Sequence, residues 1–117
     1  MENSPNTDMI RTLAKAARIE REGFTAFRYN TKADGDAFGA LYVHCFGEHP
    51  RRRVPQHTRA YFVVAGVVDF EIEGVITPCK AADLIILKPN TAYSYKGACV
   101  LFEVNVPPTG SEDAVPA

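Results

Sequence analysis

The segment that decides the fold runs from Gly47 to Gly66 and reads GEHPRRRVPQHTRAYFVVAG. The β-branched and aromatic residues 61–64 precede Gly66, and a similar run, residues 67–70, follows it. Such runs are typical of β-strands, and a glycine between them allows the backbone a change of direction that other residues resist. The segment therefore predicts two strands with a glycine turn between them.

The rest of the chain after Gly23 has the same texture. Short β-branched and aromatic runs are separated by turn dipeptides such as Asp34-Gly35 and Glu73-Gly74. The predicted strands are residues 24–29, 38–46, 59–64, 67–72, 75–77, 84–87, 92–95 and 99–104. Many short strands with regular turns are typical of an all-β barrel or sandwich. A length of 117 residues fits one domain, which we place at residues 8–106, with the barrel at 24–106.

The two ends of the chain differ from this pattern. The apolar residues Met9, Ile10, Leu13, Ala16 and Ala17 recur at helical spacing, and Gly23 can end a helix. They predict one amphipathic α-helix over residues 8–22. Residues 1–7 are polar and predict a flexible leader, and residues 107–117 predict a flexible tail.

The spacing of the opening segment resembles the first sequence motif of the cupin family, G-x5-H-x-H-x3-E-x6-G. Residues 82–97 can be laid on the family's second motif, G-x5-P-x-G-x2-H-x3-N, and fifteen residues separate the two motifs. The resemblance covers residues 47–108. It implies an all-β fold with a single cupin barrel, a double-stranded β-helix of the jelly-roll type, to which the N-terminal amphipathic helix would be added.

The resemblance also concerns a metal, because in cupins the two histidines and the glutamate of the first motif and the histidine of the second hold the ion. The matching positions here are Arg53, Pro55, Arg59 and Tyr93. Arginine is a permanent cation with no lone pair to offer, so these positions do not suit a metal. We therefore expect no metal and no other cofactor. An unusual metal site remains an alternative, with ligands drawn from His44, His49 and His57.

Strand alternation suggests what the barrel encloses instead. If Arg59 faces the interior, then Arg53, His57 and Tyr61 are candidates for the same side, because residues two apart share a face. Residues predicted to join them from elsewhere in the barrel are Tyr93, Tyr95 and His44. Arginine binds carboxylate or phosphate through two donors, and aromatic rings form flat walls. The predicted pocket therefore suits a small organic anion, with Arg53, Arg59, Tyr61, Tyr95 and His44 as ligand-binding residues.

The catalytic prediction rests on His57 and Tyr93. A histidine titrates near neutral pH and can move a proton at a carbon beside a carbonyl, while Arg59 stabilises the resulting oxyanion. We expect metal-independent isomerase, cyclase or lyase chemistry on a carboxylate or keto metabolite. Three alternatives stay open: a cupin that only binds or senses a ligand, a metal enzyme with unusual ligands, and a barrel that serves assembly with another protein.

Composition excludes several other classes. The net charge is −1, and the aromatic residues are not interleaved with a basic stripe, so no nucleic-acid partner is expected. No apolar stretch approaches the roughly 18 residues that a membrane span needs. Three cysteines without CxxC spacing, and no signal peptide, predict a cytoplasmic protein. Cupins commonly pair through outer strands or an exchanged N-terminal segment, so we expect a homodimer.

Overall fold

The computed structural model describes residues 9–117. In that part of the chain, the strands are β1 (Ala17–Glu20), β2 (Phe24–Arg28), β3 (Gly39–Cys45), β4 (Glu48–Arg53), β5 (Thr58–Ile72), β6 (Val75–Lys80), β7 (Leu84–Leu87), β8 (Tyr93–Val106) and β9 (Val115–Pro116). Short 3-10 turns lie at Leu13–Lys15, Lys32–Asp34 and Ser111–Asp113. The fold is all-β, as predicted.

Two long strands, β5 and β8, organise the barrel. They pair antiparallel from Thr58 opposite Val106 to Ile72 opposite Tyr93. On its other edge, β8 pairs with two strands. Its first half pairs with β4, and its second half pairs with β3. Beyond β3 the sheet continues through β2 to β1, while β6 and β7 pair with the other edge of β5.

Both long strands bend where two glycines bring their backbones together. Gly66 has a φ of 86°, and a Cβ at that position would collide with the backbone of Ala98 and Cys99. A Cβ on Gly97 would collide in the same way with Val67 and Val68. A bulge just before Gly66 shifts the register and adds to the bend. The glycine turn predicted from the sequence is therefore a corner within one continuous strand.

The bend folds the sheet into two halves that face each other. Arg59 pairs with Asn105 near one end of β8, yet its guanidinium donates a hydrogen bond to the hydroxyl of Tyr93 at the other end. Every second residue of β8 points into the space between the halves. The buried residues of this set are Tyr93, Tyr95, Cys99, Leu101, Glu103 and Asn105. The interior is thus apolar near the corner and polar at the open end.

Some of the strand predictions need correction. The runs predicted at 59–64 and 67–72 belong to one strand, β5, and those at 92–95 and 99–104 belong to β8, because both glycine corners bend the ladder without ending it. The prediction contained no counterpart of β4. Its sequence EHPRRR includes a proline and three arginines, and it forms a strand only because β8 pairs with it.

The predicted N-terminal helix is wrong for the residues that the structure describes. Residues 13–15 form a single 3-10 turn, and residues 17–20 form β1, which pairs with β2. The free edge of β2 offers a ladder of hydrogen bonds that overrides the helical spacing of Ile10, Leu13 and Ala17. The start of the predicted helix at Asp8, and the predicted leader 1–7, lie outside the described residues.

The predicted tail, residues 107–117, also has structure of its own. Val115–Pro116 forms β9 and pairs with Arg52 and Arg53 of β4. Lys32 binds the carboxylates of Glu112 and Asp113, at 2.9 and 2.7 Å. The segment therefore runs along the mouth of the barrel. No helix in residues 9–117 is long and apolar enough to cross a membrane.

Candidate functional site

A cavity of about 920 Å³ opens between the two halves of the sheet. Its walls come from β2, β3 and β4, its base from β5 and β8, and part of its rim from residues 110–116. The lining side chains that matter for chemistry are Arg28, His49, Arg52, Arg59 and Glu103. A cavity of this volume fits a small metabolite.

The base of the cavity holds a buried ion pair. The Nε atom of Arg59 lies 3.5 Å from Oε2 of Glu103. The side chain of Asn105 joins the two: its Oδ1 accepts a hydrogen bond from Arg59 Nε at 2.6 Å, and its Nδ2 donates one to Glu103 at 2.8 Å. The three residues sit on neighbouring strands because Arg59 lies opposite Asn105 in the ladder. Arg59 is therefore neutralised before any ligand arrives.

Two tyrosine hydroxyls extend this network. Arg59 Nη1 donates a hydrogen bond to the hydroxyl of Tyr93 at 2.7 Å, and that hydroxyl lies 2.9 Å from the hydroxyl of Tyr61. Both rings are essentially fully buried, and so is the ring of Tyr95 beside them. The tyrosines form the packed wall behind the lining of the cavity and fix the position of Arg59.

The protonation states follow from burial and from these partners. Burial alone would raise the pKa of Glu103, but the Arg59 guanidinium, the Asn105 amide and the Tyr61 hydroxyl together lower it below the usual value. Burial lowers the pKa of Arg59, but the charge of Glu103 together with Tyr61 and Tyr93 more than offsets this, so the net shift is upward. Burial raises the pKa of both Tyr61 and Tyr93. At neutral pH the site therefore holds one carboxylate, one guanidinium and two neutral phenols.

His49 lies in β4 opposite Tyr95, so its ring faces the interior. It stacks against Tyr95 with ring centroids 4.7 Å apart, against Phe24 at 5.0 Å and against Tyr93 at 5.4 Å. Only 8% of the residue is exposed, and it lines the cavity. The aromatic stack therefore fixes the plane of an imidazole beside the ion pair.

The hydrogen bonding of His49 identifies its tautomer. Its Nδ1 lies 2.7 Å from the carbonyl oxygen of Pro50. A carbonyl only accepts, so Nδ1 carries the proton and Nε2 of the neutral ring keeps its lone pair. Burial lowers the pKa of His49 to about 4, even though the charge of Glu103 opposes this shift. At neutral pH the ring is a neutral base with one available nitrogen.

Four of the residues predicted from the sequence come together here. Arg59 lines the cavity, and Tyr61, Tyr93 and Tyr95 pack behind it on the interior face. Strand alternation predicted this grouping for β5 and β8, where the interior residues are two apart. The predicted role of Arg59 as the anchor of an anionic ligand changes, however, because Glu103 is already its anionic partner.

The other predicted residues lie elsewhere. His57 lies just before β5 and is buried, in line with the alternation of Arg59 and Tyr61, but it does not line the cavity. Arg53 lies opposite Val115 at the edge of the sheet and does not line the cavity either. His44 is exposed on the outer face of β3, edge-on to Phe46 at 6.1 Å. The structure therefore corrects the placement of these three residues.

The sequence reading missed the residues that replace them. His49 stands beside Pro50, and nothing in its neighbourhood predicts β4. Glu103 and Asn105 had a usable signal, since two polar residues at alternate positions interrupt an apolar strand. Arg28 had the same signal in β2, where it follows Phe24 and Ala26 on one face.

A metal ion does not fit the positions that the cupin motifs assign to ligands. Arg59 and Tyr93 are hydrogen-bonded to each other, and Arg53 lies at the edge of the sheet. Elsewhere in residues 9–117 no group of three or more His, Cys, Asp or Glu side chains is arranged to hold an ion. His49 and Glu103 alone are fewer than the three protein ligands that a catalytic metal usually needs.

No protein-family model matches this chain, and no curated protein matches it. Solved structures do. Pac13, described as a unique nucleoside dehydratase, is 22% identical, with a TM-score of 0.83 over 92% of this chain and 89% of that one. Variants of the Streptomyces Pac13 protein with a histidine changed to glutamine, or a tyrosine to phenylalanine, match equally well and contain uridine.

Two further structures widen the comparison. Ectoine synthase from P. lautus is 16% identical, with a TM-score of 0.75 over 92% of this chain and 88% of that one. The cupin domain of Schizosaccharomyces pombe Cnp3 is 15% identical, with a TM-score of 0.68 over 81% of this chain and 71% of that one. At these identities the likeness shows the fold. The cupin barrel predicted from the two motifs is confirmed.

Proposed function

We propose that this protein, which has the cupin fold, is a lyase that removes water from a small polar metabolite by acid–base catalysis. The observation that carries the proposal is the state of His49. Its Nδ1 is committed to the Pro50 carbonyl, and its Nε2 has no hydrogen-bond partner within residues 9–117. An oriented, neutral imidazole at the wall of a cavity is the arrangement that proton abstraction requires.

The substrate needs a carbon acid next to a carbonyl and a hydroxyl on the following carbon. Nε2 of His49 takes the proton from the carbon, and the electron pair moves onto the carbonyl oxygen as an enolate. The carbon–oxygen bond to the hydroxyl then breaks, and the imidazolium returns its proton to the departing oxygen. One molecule of water leaves, a carbon–carbon double bond remains, and His49 is neutral again.

Arg59 is the group that stabilises the enolate oxygen in this scheme. Its Nε and Nη1 are bound to Asn105 and Tyr93, which fixes the guanidinium plane, and it lines the cavity. Donors that are already oriented cost no reorganisation when charge develops on the substrate. Tyr61 and Tyr93 are buried behind the lining of the cavity, so we assign them the positioning of Arg59 rather than proton transfer to the substrate.

The low pKa of His49 has two opposite effects. An imidazolium with a pKa of about 4 is a strong acid, which favours protonation of the departing hydroxyl. It is also a weak base, which slows the first step. Glu103 favours the protonated ring through its negative charge. This carboxylate therefore lowers the cost of the imidazolium intermediate.

The comparisons support this class of reaction. Pac13 is a nucleoside dehydratase, and a dehydratase is a lyase that removes water. Its solved variants change a histidine or a tyrosine and contain uridine. The same residue types are found in this protein, where His49 lines the cavity and Tyr61 and Tyr93 pack behind its lining. A nucleoside-like hydroxy-carbonyl compound is therefore the first substrate class to test.

The second candidate is binding without turnover. The weak basicity of His49 favours it, and the buried ion pair would then serve only to orient a ligand. Absence of a metal stays a prediction in both cases, and elemental analysis of protein purified without an affinity tag tests it. Stoichiometric iron, zinc, nickel or manganese would contradict it.

A mass-spectrometric screen tests the proposal. The protein is incubated with β-hydroxy aldehydes, ketones and acids, including oxidised nucleosides, and loss of one water is followed. We expect turnover by the wild type and a loss of about 100-fold or more in His49→Gln. His44→Gln is the matched control, because His44 is exposed on the outer face. Equal rates for wild type and His49→Gln would overturn the assignment.

A further inference from the structure

The charges that line the cavity do not balance. Arg59 and Glu103 neutralise each other at the base. Glu22, Glu48 and Arg21 lie exposed at the rim. Two further arginines, Arg28 and Arg52, are half-buried, and neither forms a salt bridge with a carboxylate within residues 9–117. The inner part of the mouth therefore carries two positive charges without a negative partner.

Arg28 is the more strongly constrained of the two. Its Nη1 donates a hydrogen bond to the carbonyl of Thr109, but its Nε is covered by protein and has no partner within residues 9–117. The hydroxyl of Thr109, a residue only 3% exposed, is also covered and unpaired. Thr109 directly precedes Gly110, which lines the cavity. Buried polar groups are normally hydrogen-bonded, so this corner lacks an acceptor.

Arg52 reaches the cavity from the opposite half of the sheet. It lies in β4 opposite Tyr93 on one side and Pro116 on the other. Its Nη1 donates to the carbonyl of Arg51, a neutral partner. Its charge is close enough to His49 to help lower the pKa of that ring. Arg52 therefore lines the cavity near His49, beside the rim strand β9.

We infer that the mouth of the cavity binds an anionic group, a phosphate or a carboxylate, held by Arg28 on one side and Arg52 on the other. Arginine presents several donors in one plane, which suits both anions, and it keeps its charge at every physiological pH. The anion would be the terminal group of the substrate. This last step rests on the proposed function, because it places the reactive carbon at His49.

Calorimetric titration with inorganic phosphate tests the site, at constant ionic strength set with chloride. We expect Arg28→Gln and Arg52→Gln each to weaken phosphate binding by about tenfold or more. The lysine variants should bind with intermediate affinity, since they keep the charge but lose the planar donors. Arg18→Gln is the control, because Arg18 is exposed and pairs with Glu20 outside the cavity. Circular dichroism checks that each variant is folded.

Nuclear magnetic resonance of the His49 ring gives an independent readout. A phosphate beside Arg52 offsets the charge that lowers the pKa of His49, so saturating phosphate should raise that pKa. The shift in the pKa of His49 should disappear in Arg52→Gln. Because Arg52 is only partly buried, this variant still tests the site if Arg28→Gln fails to fold. No phosphate binding by the wild type, or equal weakening in Arg18→Gln, would overturn the inference.

The same experiment separates this inference from the proposed function. His49→Gln should leave phosphate affinity unchanged, because its imidazole is not assigned to the anion. A terminal carboxylate is distinguished from a phosphate by repeating the titration with acetate. If phosphate binding depends on Arg28 and Arg52 while no hydroxy-carbonyl compound loses water, the anion site stands and the lyase assignment fails.

Discussion

The Nε atom of Arg59 lies 3.5 Å from Oε2 of Glu103, and each of these side chains is only 9% exposed. Such a buried pair is more important for position than for net stability, because both ions lost their hydration. Asn105 accepts a hydrogen bond from Arg59 Nε and Tyr93 accepts one from Nη1, and these two bonds hold the pair at one geometry. The base of the cavity is therefore preorganised, with its charges fixed before a ligand enters.

Removing one member of this pair should be costly. Glu103→Ala leaves the Arg59 guanidinium buried without its counter-ion, and we expect a loss of about 3–5 kcal/mol in the free energy of unfolding. Glu20→Ala is the control, since Glu20 pairs with Arg18 on the exposed face of β1 and should cost less than about 1 kcal/mol. Urea unfolding measures both. Similar values for the two variants would show that the buried pair has no special role.

The depressed pKa of His49 predicts a pH dependence of stability. The unfolded ring has a pKa near 6.5, whereas the folded ring has a pKa of about 4. Between these pH values the unfolded state binds more protons than the folded state, so the free energy of unfolding falls as the pH is lowered. The contribution of the neutral His49 ring to stability is complete only above the unfolded pKa. The full effect amounts to about 3 kcal/mol.

Urea unfolding near neutral pH and near the folded pKa of His49 checks this prediction. The wild type should lose more stability on acidification than His49→Gln does, because carboxylates such as Glu103 titrate in both proteins and largely cancel. His44→Gln should behave as the wild type. Parallel losses in wild type and His49→Gln would contradict a neutral, buried His49.

The corner at Gly66 predicts a matched pair of glycine substitutions. Gly66 and Gly74 share a φ of 86°, but only at Gly66 would a Cβ meet other backbone atoms. We expect Gly74→Ala to cost about 1 kcal/mol for its backbone strain. Gly66→Ala should cost at least about 2 kcal/mol more, since β5 and β8 must move apart. Thermal unfolding compares the two; equal melting temperatures would exclude the close approach as the reason for Gly66.

A homodimer remains a prediction. The described part of residues 8–22 contains a 3-10 turn and a strand in place of the predicted helix, so an exchanged N-terminal segment would contribute a strand. Pairing through outer strands and exchange of this segment are the two routes to test. Light scattering at working concentration should give twice the mass of one chain, and a single-chain mass would contradict the expectation.

How far the sequence could predict the structure depended on whether the signal was local. The strand pattern on both sides of Gly66 and the alternation in β5 are local, and they placed Arg59, Tyr61, Tyr93 and Tyr95 correctly in the interior. β4 has no such signal: Pro50 and the arginine run argue against a strand, and only pairing with β8 forms one.

The site was harder to predict than the fold for the same physical reason. His49 faces the cavity because it lies opposite Tyr95, which is a tertiary relation with no trace in its own neighbours. His57 is buried, as alternation from Arg59 predicts, but burial on the interior side does not by itself place a side chain at the cavity. The ion pair forms because Arg59 of β5 and Glu103 of β8 meet across neighbouring strands. The cupin motifs include the position of Arg59 but not that of Glu103.

Deuterium exchange tests the role of His49 most directly. An analogue that keeps the acidic carbon–hydrogen bond next to a carbonyl, but lacks the hydroxyl that leaves, is incubated with the protein in D₂O. We predict that the wild type exchanges this proton for deuterium and that His49→Gln, although it still binds the analogue, does not. Exchange at the same rate in both proteins, or binding by the wild type without exchange of any analogue, would contradict the account of His49 as the catalytic base.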